Sequence, residues 1–218
     1  MEHEQSTVRP PREMSPARLE AFSDGVMAVI ITIMVLELRP PEGDDIPALE
    51  KLVPGLLIYV LSFTFIAIYW NNHHHLLRAT RRISGGVMWA NLHLLFWLSL
   101  VPVVTAWVGK YPRSFWPAVT YGFIGFMAGV AYTILATTIA AVNKDTAISQ
   151  ILRRDIKGKI SLAFYAVGMA LAFVQPLLAY VPYALVSIMW FIPDRRFAAS
   201  ADGPAERPHV DAGKADRA

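Results

Sequence analysis

The chain has 218 residues, of which 55% are hydrophobic and only 17% are charged, and its mean hydropathy is +0.39. This composition lies outside the range of soluble globular domains and predicts an integral membrane protein. The absence of cysteine excludes disulfides, thiolate nucleophiles and zinc–thiolate sites. The net charge of +3 would suggest nucleic acid in a soluble protein, but the basic residues lie between hydrophobic runs, so we predict no nucleic-acid partner.

Six apolar runs follow one another along the chain, at about residues 18–38, 52–70, 86–108, 116–142, 160–180 and 183–192. They predict an all-α polytopic membrane protein with six transmembrane helices. Pro40 and Pro41 are expected to end the first helix, Pro102 to kink the third, and Pro182 to separate the fifth from the sixth. The sixth run is short for a span, so we expect it to be tilted or continuous with the fifth through a bend.

Polar segments flank these runs. Residues 1–16 combine prolines with charges, and residues 195–218 are rich in Ala, Asp and Pro, so both are expected to be disordered tails around a transmembrane domain at 17–194. Residues 1–16 contain no short apolar core before a cleavage site, and we predict no secretory signal there.

Loop charge predicts the orientation in the membrane. Three groups of basic residues fall on one side if six spans are present, namely Arg78/Arg81/Arg82, the loop from Lys144 to Lys159, and Arg195/Arg196. The opposite side carries the acidic 42–50 loop. Because positive residues mark the cytoplasmic face, we predict a multi-pass protein of the cell (inner) membrane, surrounded by lipid, with both termini in the cytoplasm.

Ser23 and Asp24 lie inside the first turns of the first apolar run. An ionisable side chain in a span costs roughly 3 kcal/mol or more at the centre, so it is a candidate functional group. Glu20 lies one turn earlier and carries the same charge, so it is not expected to stabilise the Asp24 carboxylate. Chain direction brings other polar residues to the same depth: Arg18, Trp70, Asn71, His73, His74, Asn91 and His93. We expect these residues to form one polar layer that clamps the first helix.

A second feature of the first helix is a stripe at steps of four, three and four, formed by Gly25, Val29, Thr32 and Leu36, with Ile33 beside it. This face could line a pore. It could equally be ordinary packing, with the Thr32 hydroxyl bonded back to its own helix.

Motifs for enzymatic chemistry are missing from the sequence, and we predict neither an enzyme nor a resident cofactor or metal. Consecutive residues on a helix point about 100° apart, so the run His73-His74-His75 cannot chelate one ion. There is no H-E-x-x-H, phosphate-binding loop or nucleophile elbow, and no T-V-G-Y-G carbonyl filter. Gly122, Gly125 and Gly129 indicate a helix-packing face.

Three elements together resemble the transmembrane-175-type potassium channel family, in its prokaryotic single-repeat form. The first is Arg18-x-x-x-Phe22-Ser23-Asp24-Gly25 followed by Thr32 and Leu36-Glu37. The second is Trp70-x-x-His73-His74, and the third is Asn91 with Pro102-x-x-Thr105. The resemblance covers about residues 18–193.

The resemblance implies a homotetramer that conducts potassium ions, with the first helix of each subunit lining a central pore. It places an aliphatic constriction on Val29, with Ile33 and Leu36 as outer layers, and a hydroxyl ring tied to potassium preference on Thr32. The constriction residue is typically Ile or Leu in this family. The smaller Val29 here implies either a closed pore that is less tight or a barrier that is shared with Ile33 and Leu36.

Two alternatives are open from the residues alone. One is a proton-coupled membrane transporter that uses Asp24 as the carrier, although such folds normally show internal repeats and broken helices. The other is a haem-binding membrane protein with the iron held between His73 or His74 and His93.

Overall fold

The computed structural model describes residues 15–144 and 156–191, which form seven α-helices. These are α1 (Pro16–Leu36), α2 (Ile46–Arg78), α3 (Gly85–Ser99), α4 (Val101–Lys110), α5 (Phe115–Val142), α6 (Ile156–Ala172) and α7 (Pro176–Phe191). Only Leu100 separates α3 from α4, so the two make one rod. The described residues therefore form six helical rods without a strand, which confirms the all-α prediction.

Four of the rods are long and apolar enough to cross a membrane: α1, α2, the α3–α4 rod and α5. Helices α6 and α7 have 17 and 16 residues. At a rise of ~1.5 Å per residue they span about 25 Å, slightly less than a hydrocarbon core of about 30 Å.

Helix α2 is longer than its apolar run predicted. It begins at Ile46 because the Asp45 side chain caps it, with Oδ1 accepting a hydrogen bond from the Ala48 backbone N–H at 3.0 Å. It continues to Arg78, so residues 71–75 are helical and do not form its end. In the third rod, the break at Leu100 places Pro102 in the first turn of α4, where its missing N–H costs no hydrogen bond.

The predicted boundary between the fifth and sixth helices is wrong. Helix α6 ends at Ala172, and Pro176 begins α7, again at a position where a proline is tolerated. Pro182 lies inside α7 and does not separate two helices. The predicted tails at 1–16 and 195–218 lie outside the described residues, except that Ser15 is the N-cap of α1 and Pro16 its first residue.

The helices pack in two groups. Helix α1 packs on α2, α3 and α4, whereas α5 joins the α3–α4 rod to α6 and α7. Asn143, which follows α5, ties this helix to the loop after α2, because its Oδ1 accepts from the backbone N–H groups of Arg81 and Arg82 at 3.1 and 3.0 Å.

Small residues allow α5, α6 and α7 to approach closely. The ring of Tyr183 in α7 occupies the space that a Cβ would take at both Gly122 and Gly168, and Tyr165 does the same at Gly125. The glycines of α5 therefore form a packing face, as their spacing indicated.

Replacing Gly122 by Ala should destabilise the protein by about 1–3 kcal/mol, because the new methyl group overlaps the Tyr183 side chain. The check is the melting temperature in detergent of Gly122→Ala, Tyr183→Phe and the double variant. Because the nearest atom is the Tyr183 hydroxyl, the double variant should lose less than the sum of the two single losses.

Gly55→Ala is the matched control, since a Cβ at Gly55 meets open space. If Gly122→Ala melts no lower than Gly55→Ala, the close contact between α5 and α7 does not exist as described.

Candidate functional site

Helix α1 has two faces of opposite character. One face is buried against α2, α3 and α4 and carries Leu19, Ser23, Met27, Ile30 and Met34. At about 100° per residue, the stripe of Gly25, Val29, Thr32 and Leu36 projects on the opposite side of the helix.

The stripe is exposed in the isolated protomer. The side chains of Val29, Ile33 and Leu36 are 55%, 43% and 80% exposed, and a Cβ built at Gly25 meets no atom within 4 Å. The exposed Thr32 donates its hydroxyl proton to the Val29 carbonyl oxygen at 2.8 Å. The stripe therefore lies at the surface of the described chain and is not buried against another helix, although Thr32 does bond back to its own helix.

A chain of buried hydrogen bonds connects α1, α3 and α2. The Ser23 hydroxyl donates to the Leu19 carbonyl at 2.9 Å, and Asn91 Nδ2 donates to Ser23 Oγ at 2.9 Å. Asn91 Oδ1 lies 2.6 Å from His73 Nε2. Because this oxygen can only accept, His73 carries its proton on Nε2. Ser23, His73 and Asn91 are all inaccessible to solvent, and the chain satisfies their polar groups except His73 Nδ1, which has no hydrogen-bond partner among the described residues.

Two further contacts join α1 to α2 at the edge of this chain. Trp70 Nε1 donates to Asp24 Oδ1 at 3.0 Å, and His74 Nδ1 lies 2.7 Å from Glu20 Oε1. The Trp70 and His74 rings stack, with centroids 5.9 Å apart and an interplanar angle of 25°. We define the α1 anchor as these contacts together with the Ser23–Asn91–His73 chain. The sequence alone did not predict a role for Glu20. Its position one turn before Asp24 could have indicated one, because α2 runs antiparallel and His74 lies one turn after Trp70.

Some residues of the expected polar layer lie elsewhere. His93 does not join the α1 anchor, because its Nε2 accepts a hydrogen bond from Trp97 one turn along α3, at 3.0 Å. Asn71 is exposed, without a hydrogen bond to another described residue, and Phe22 is half exposed. Arg18 is exposed and forms no ion pair with Asp24, whose carboxylate accepts a hydrogen bond from Trp70 instead.

The histidines are poorly arranged for haem or metal. The Nε2 atoms of His73 and His93 are engaged by Asn91 and Trp97, and His74 is held by Glu20. Within residues 15–144 and 156–191, no cluster of three His, Cys, Asp or Glu side chains could hold a metal ion. The arrangement fixes the position of one helix and leaves that helix's opposite face free.

Comparison with known proteins agrees with this geometry. Residues 18–102, which run from the first turn of α1 to the start of α4, match the family model for "Endosomal/lysosomal potassium channel TMEM175". A potassium channel of a Chryseobacterium species is 45% identical over 188 residues, which cover 86% of this chain and 98% of that protein. A potassium channel of Streptomyces collinus is 28% identical over 199 residues, covering 84% of this chain and 97% of the relative.

A solved structure is also similar. The crystal structure of a lysosomal potassium-selective channel TMEM175 homolog from Chamaesiphon minutus superposes with a TM-score of 0.71 at 25% identity. The match covers 86% of this chain and 98% of that one. With membrane-length helices and near full-length similarity in agreement, the chain belongs to the TMEM175 potassium channel family.

Proposed function

We propose that this protein is a potassium-permeable cation channel in which four copies of α1 surround a central pore. The observation that carries the proposal is the orientation of α1. The face that packs on α2–α4 is opposite the stripe of Val29, Thr32 and Leu36, so the stripe is left for contacts outside the protomer. A homotetramer would turn four such stripes toward one axis. The potassium channels named above, similar along nearly their whole length, support the choice of ion.

The barrier to ions in this pore is a hydrophobic constriction and not a filter of backbone carbonyls. Helix α1 is unbroken from Pro16 to Leu36, so the carbonyls of Gly25, Val29 and Thr32 are engaged in helical hydrogen bonds. An ion must instead pass the aliphatic side chains of Val29, Ile33 and Leu36. A narrow apolar neck loses its water, and an ion cannot follow without giving up its hydration shell.

Thr32 supplies the polar element of the stripe. Its hydroxyl proton points to the Val29 carbonyl, so the lone pairs of its oxygen are directed away from the helix. A ring of four such oxygens can replace part of the water around a cation that has lost its hydration shell at the neighbouring Val29 layer. We assign potassium preference to this ring.

The α1 anchor is structural in this proposal. It holds α1 at one rotation about its axis, because turning the helix would break the bonds of Ser23, Asp24 and Glu20 at the same time. The bond of Asp24 to the Trp70 indole favours anchoring over proton carrying, and the chain is not proposed to be a proton-coupled transporter or an enzyme.

Charge at the two ends suits cation conduction. The end of α1 is followed by Glu37 and by four more acidic residues, Glu42, Asp44, Asp45 and Glu50. These side chains would raise the local cation concentration. The basic loops lie at the other end, so the acidic mouth is proposed to face outward and both termini to lie in the cytoplasm.

Asn91→Leu should lower the stability of the assembled protein by about 1–3 kcal/mol, because it leaves the buried His73 N–H without an acceptor. The measurements are the yield and melting temperature of tetramer in detergent. Asn71→Leu, the same change at an exposed position, should have little effect. Wild-type assembly of Asn91→Leu with altered flux would instead place the α1 anchor in the permeation pathway.

Thr32→Val keeps the shape of the side chain but removes its oxygen. We expect the K⁺/Na⁺ permeability ratio to fall toward unity while conduction persists. The assay is reversal potentials or paired flux in liposomes, with Thr137→Val as control, since Thr137 is also exposed and bonded to its own helix. An unchanged ratio for Thr32→Val would remove the selectivity role from this residue.

Val29→Asn should raise resting potassium flux, because a polar ring keeps the neck hydrated, and Val29→Phe should depress it. The flux of Val29→Asn, Leu36→Asn and their combination should be compared per reconstituted tetramer. Val103→Asn, an exposed apolar position on α4, controls for nonspecific leak. If no α1 variant exceeds Val103→Asn, the stripe does not form the constriction.

A further inference from the structure

A cleft lies between α2, α5, α6 and α7, on the part of the fold that α1 does not touch. Its walls are mostly aromatic and aliphatic, formed by Phe65, Tyr69, Tyr132, Tyr165, Val186 and Trp190. The enclosed part of the cleft has a volume of about 40 Å³. Its apolar walls suit a few methylene groups of an acyl chain better than a hydrated ion.

One polar group in this cleft has no protein partner. Ser187 lines the cleft and is 5% exposed, and its hydroxyl makes no hydrogen bond with any described residue. Other hydroxyls of these helices bond back to their own backbone, as Ser161 does to the Lys157 carbonyl and Thr133 to the Gly129 carbonyl. A buried hydroxyl without a partner costs free energy, so Ser187 is suited to a ligand that brings an acceptor.

A cation lies at the edge of the cleft. Lys157 Nζ is 5.5 Å from the centroid of the Trp190 ring, and Trp190 Nε1 donates to Ser161 Oγ at 2.9 Å. These contacts hold the Trp190 ring at the edge of the cleft, next to the lysine. Ser187 precedes Trp190 by one helical turn, so it lies deeper in the bundle than Lys157 does.

The cleft lies nearer to one end of the bundle than to the other. Its lining residues come from the C-terminal halves of α2, α5 and α7 and from the first ten residues of α6, which all lie toward the same end of the bundle. Basic side chains collect at that end: Arg78, Arg81, Arg82, Lys144, Lys157 and Lys159. Asn143 holds the Arg81–Arg82 backbone against the end of α5. This charge is complementary to an anionic headgroup.

We propose that this cleft is a binding site for one anionic glycerophospholipid. The Lys157 ammonium group pairs with the phosphate, and Ser187 donates its hydroxyl proton to an ester carbonyl, which lies deeper than the phosphate in a lipid. The first part of the acyl chain fills the aromatic cleft. The proposal needs the membrane setting but not the ion-conducting role of α1.

The test uses the full chain, purified in detergent and titrated with phosphatidylglycerol or with phosphatidylcholine of identical acyl chains. Native mass spectrometry gives the dissociation constant of the first bound lipid. Wild type should prefer phosphatidylglycerol. Lys157→Gln should weaken phosphatidylglycerol binding about tenfold and abolish that preference. Ser187→Ala should weaken both lipids about fivefold, since both carry the ester. Lys159→Gln, an exposed lysine at the same end that does not contact Trp190, should weaken phosphatidylglycerol binding much less than Lys157→Gln does.

Melting temperatures without added lipid establish that each variant is folded. Three results would overturn the proposal: equal affinity of wild type for the two lipids, equal losses in Lys157→Gln and Lys159→Gln, or wild-type affinity in folded Ser187→Ala. If Ser187→Ala does not fold, the comparison of the two lysine variants decides the question.

Discussion

The rotation of α1 depends on the buried hydrogen bonds that run from Ser23 through Asn91 to His73. A membrane interior offers no water to replace a lost partner, so these groups have few alternative arrangements. The chain ties α1 to α3 and α2 at one depth, and Trp70 and His74 add two contacts at its edge. With one face fixed in this way, the orientation of the opposite face is determined as well.

This constraint explains why an apolar helix contains an acidic and a polar residue near its start. Asp24 and Ser23 are costly in a span unless they are paired, and each has its partner on a different helix. The stripe of Val29, Thr32 and Leu36 makes no such contacts within the protomer. In the proposed channel, anchoring and conduction are thus separated on two faces of the same helix, and a substitution on one face need not disturb the other.

Much of this arrangement could be predicted from the sequence because membrane helices follow simple rules. Apolar length gave six rods, and chain direction brought Ser23, Trp70, His73 and Asn91 to one level. The sequence did not indicate which hydrogen-bond partner each polar side chain takes. His93, for example, is bonded to Trp97 within its own helix and not to the α1 anchor. The choice between Pro176 and Pro182 as a helix boundary was also not predictable, because it depends on the docking of Tyr183 against Gly122 and Gly168.

The absence of cysteine from the chain allows a direct test of the central claim that the stripe faces an aqueous pore. Single variants Thr32→Cys and Leu36→Cys, with Met34→Cys on the buried face as control, are reconstituted and treated with a charged, membrane-impermeant thiol reagent. The account predicts that the reagent modifies the first two and blocks their potassium flux, and that Met34→Cys is unaffected. Modification of Met34→Cys with both stripe positions protected would contradict the proposed orientation of α1.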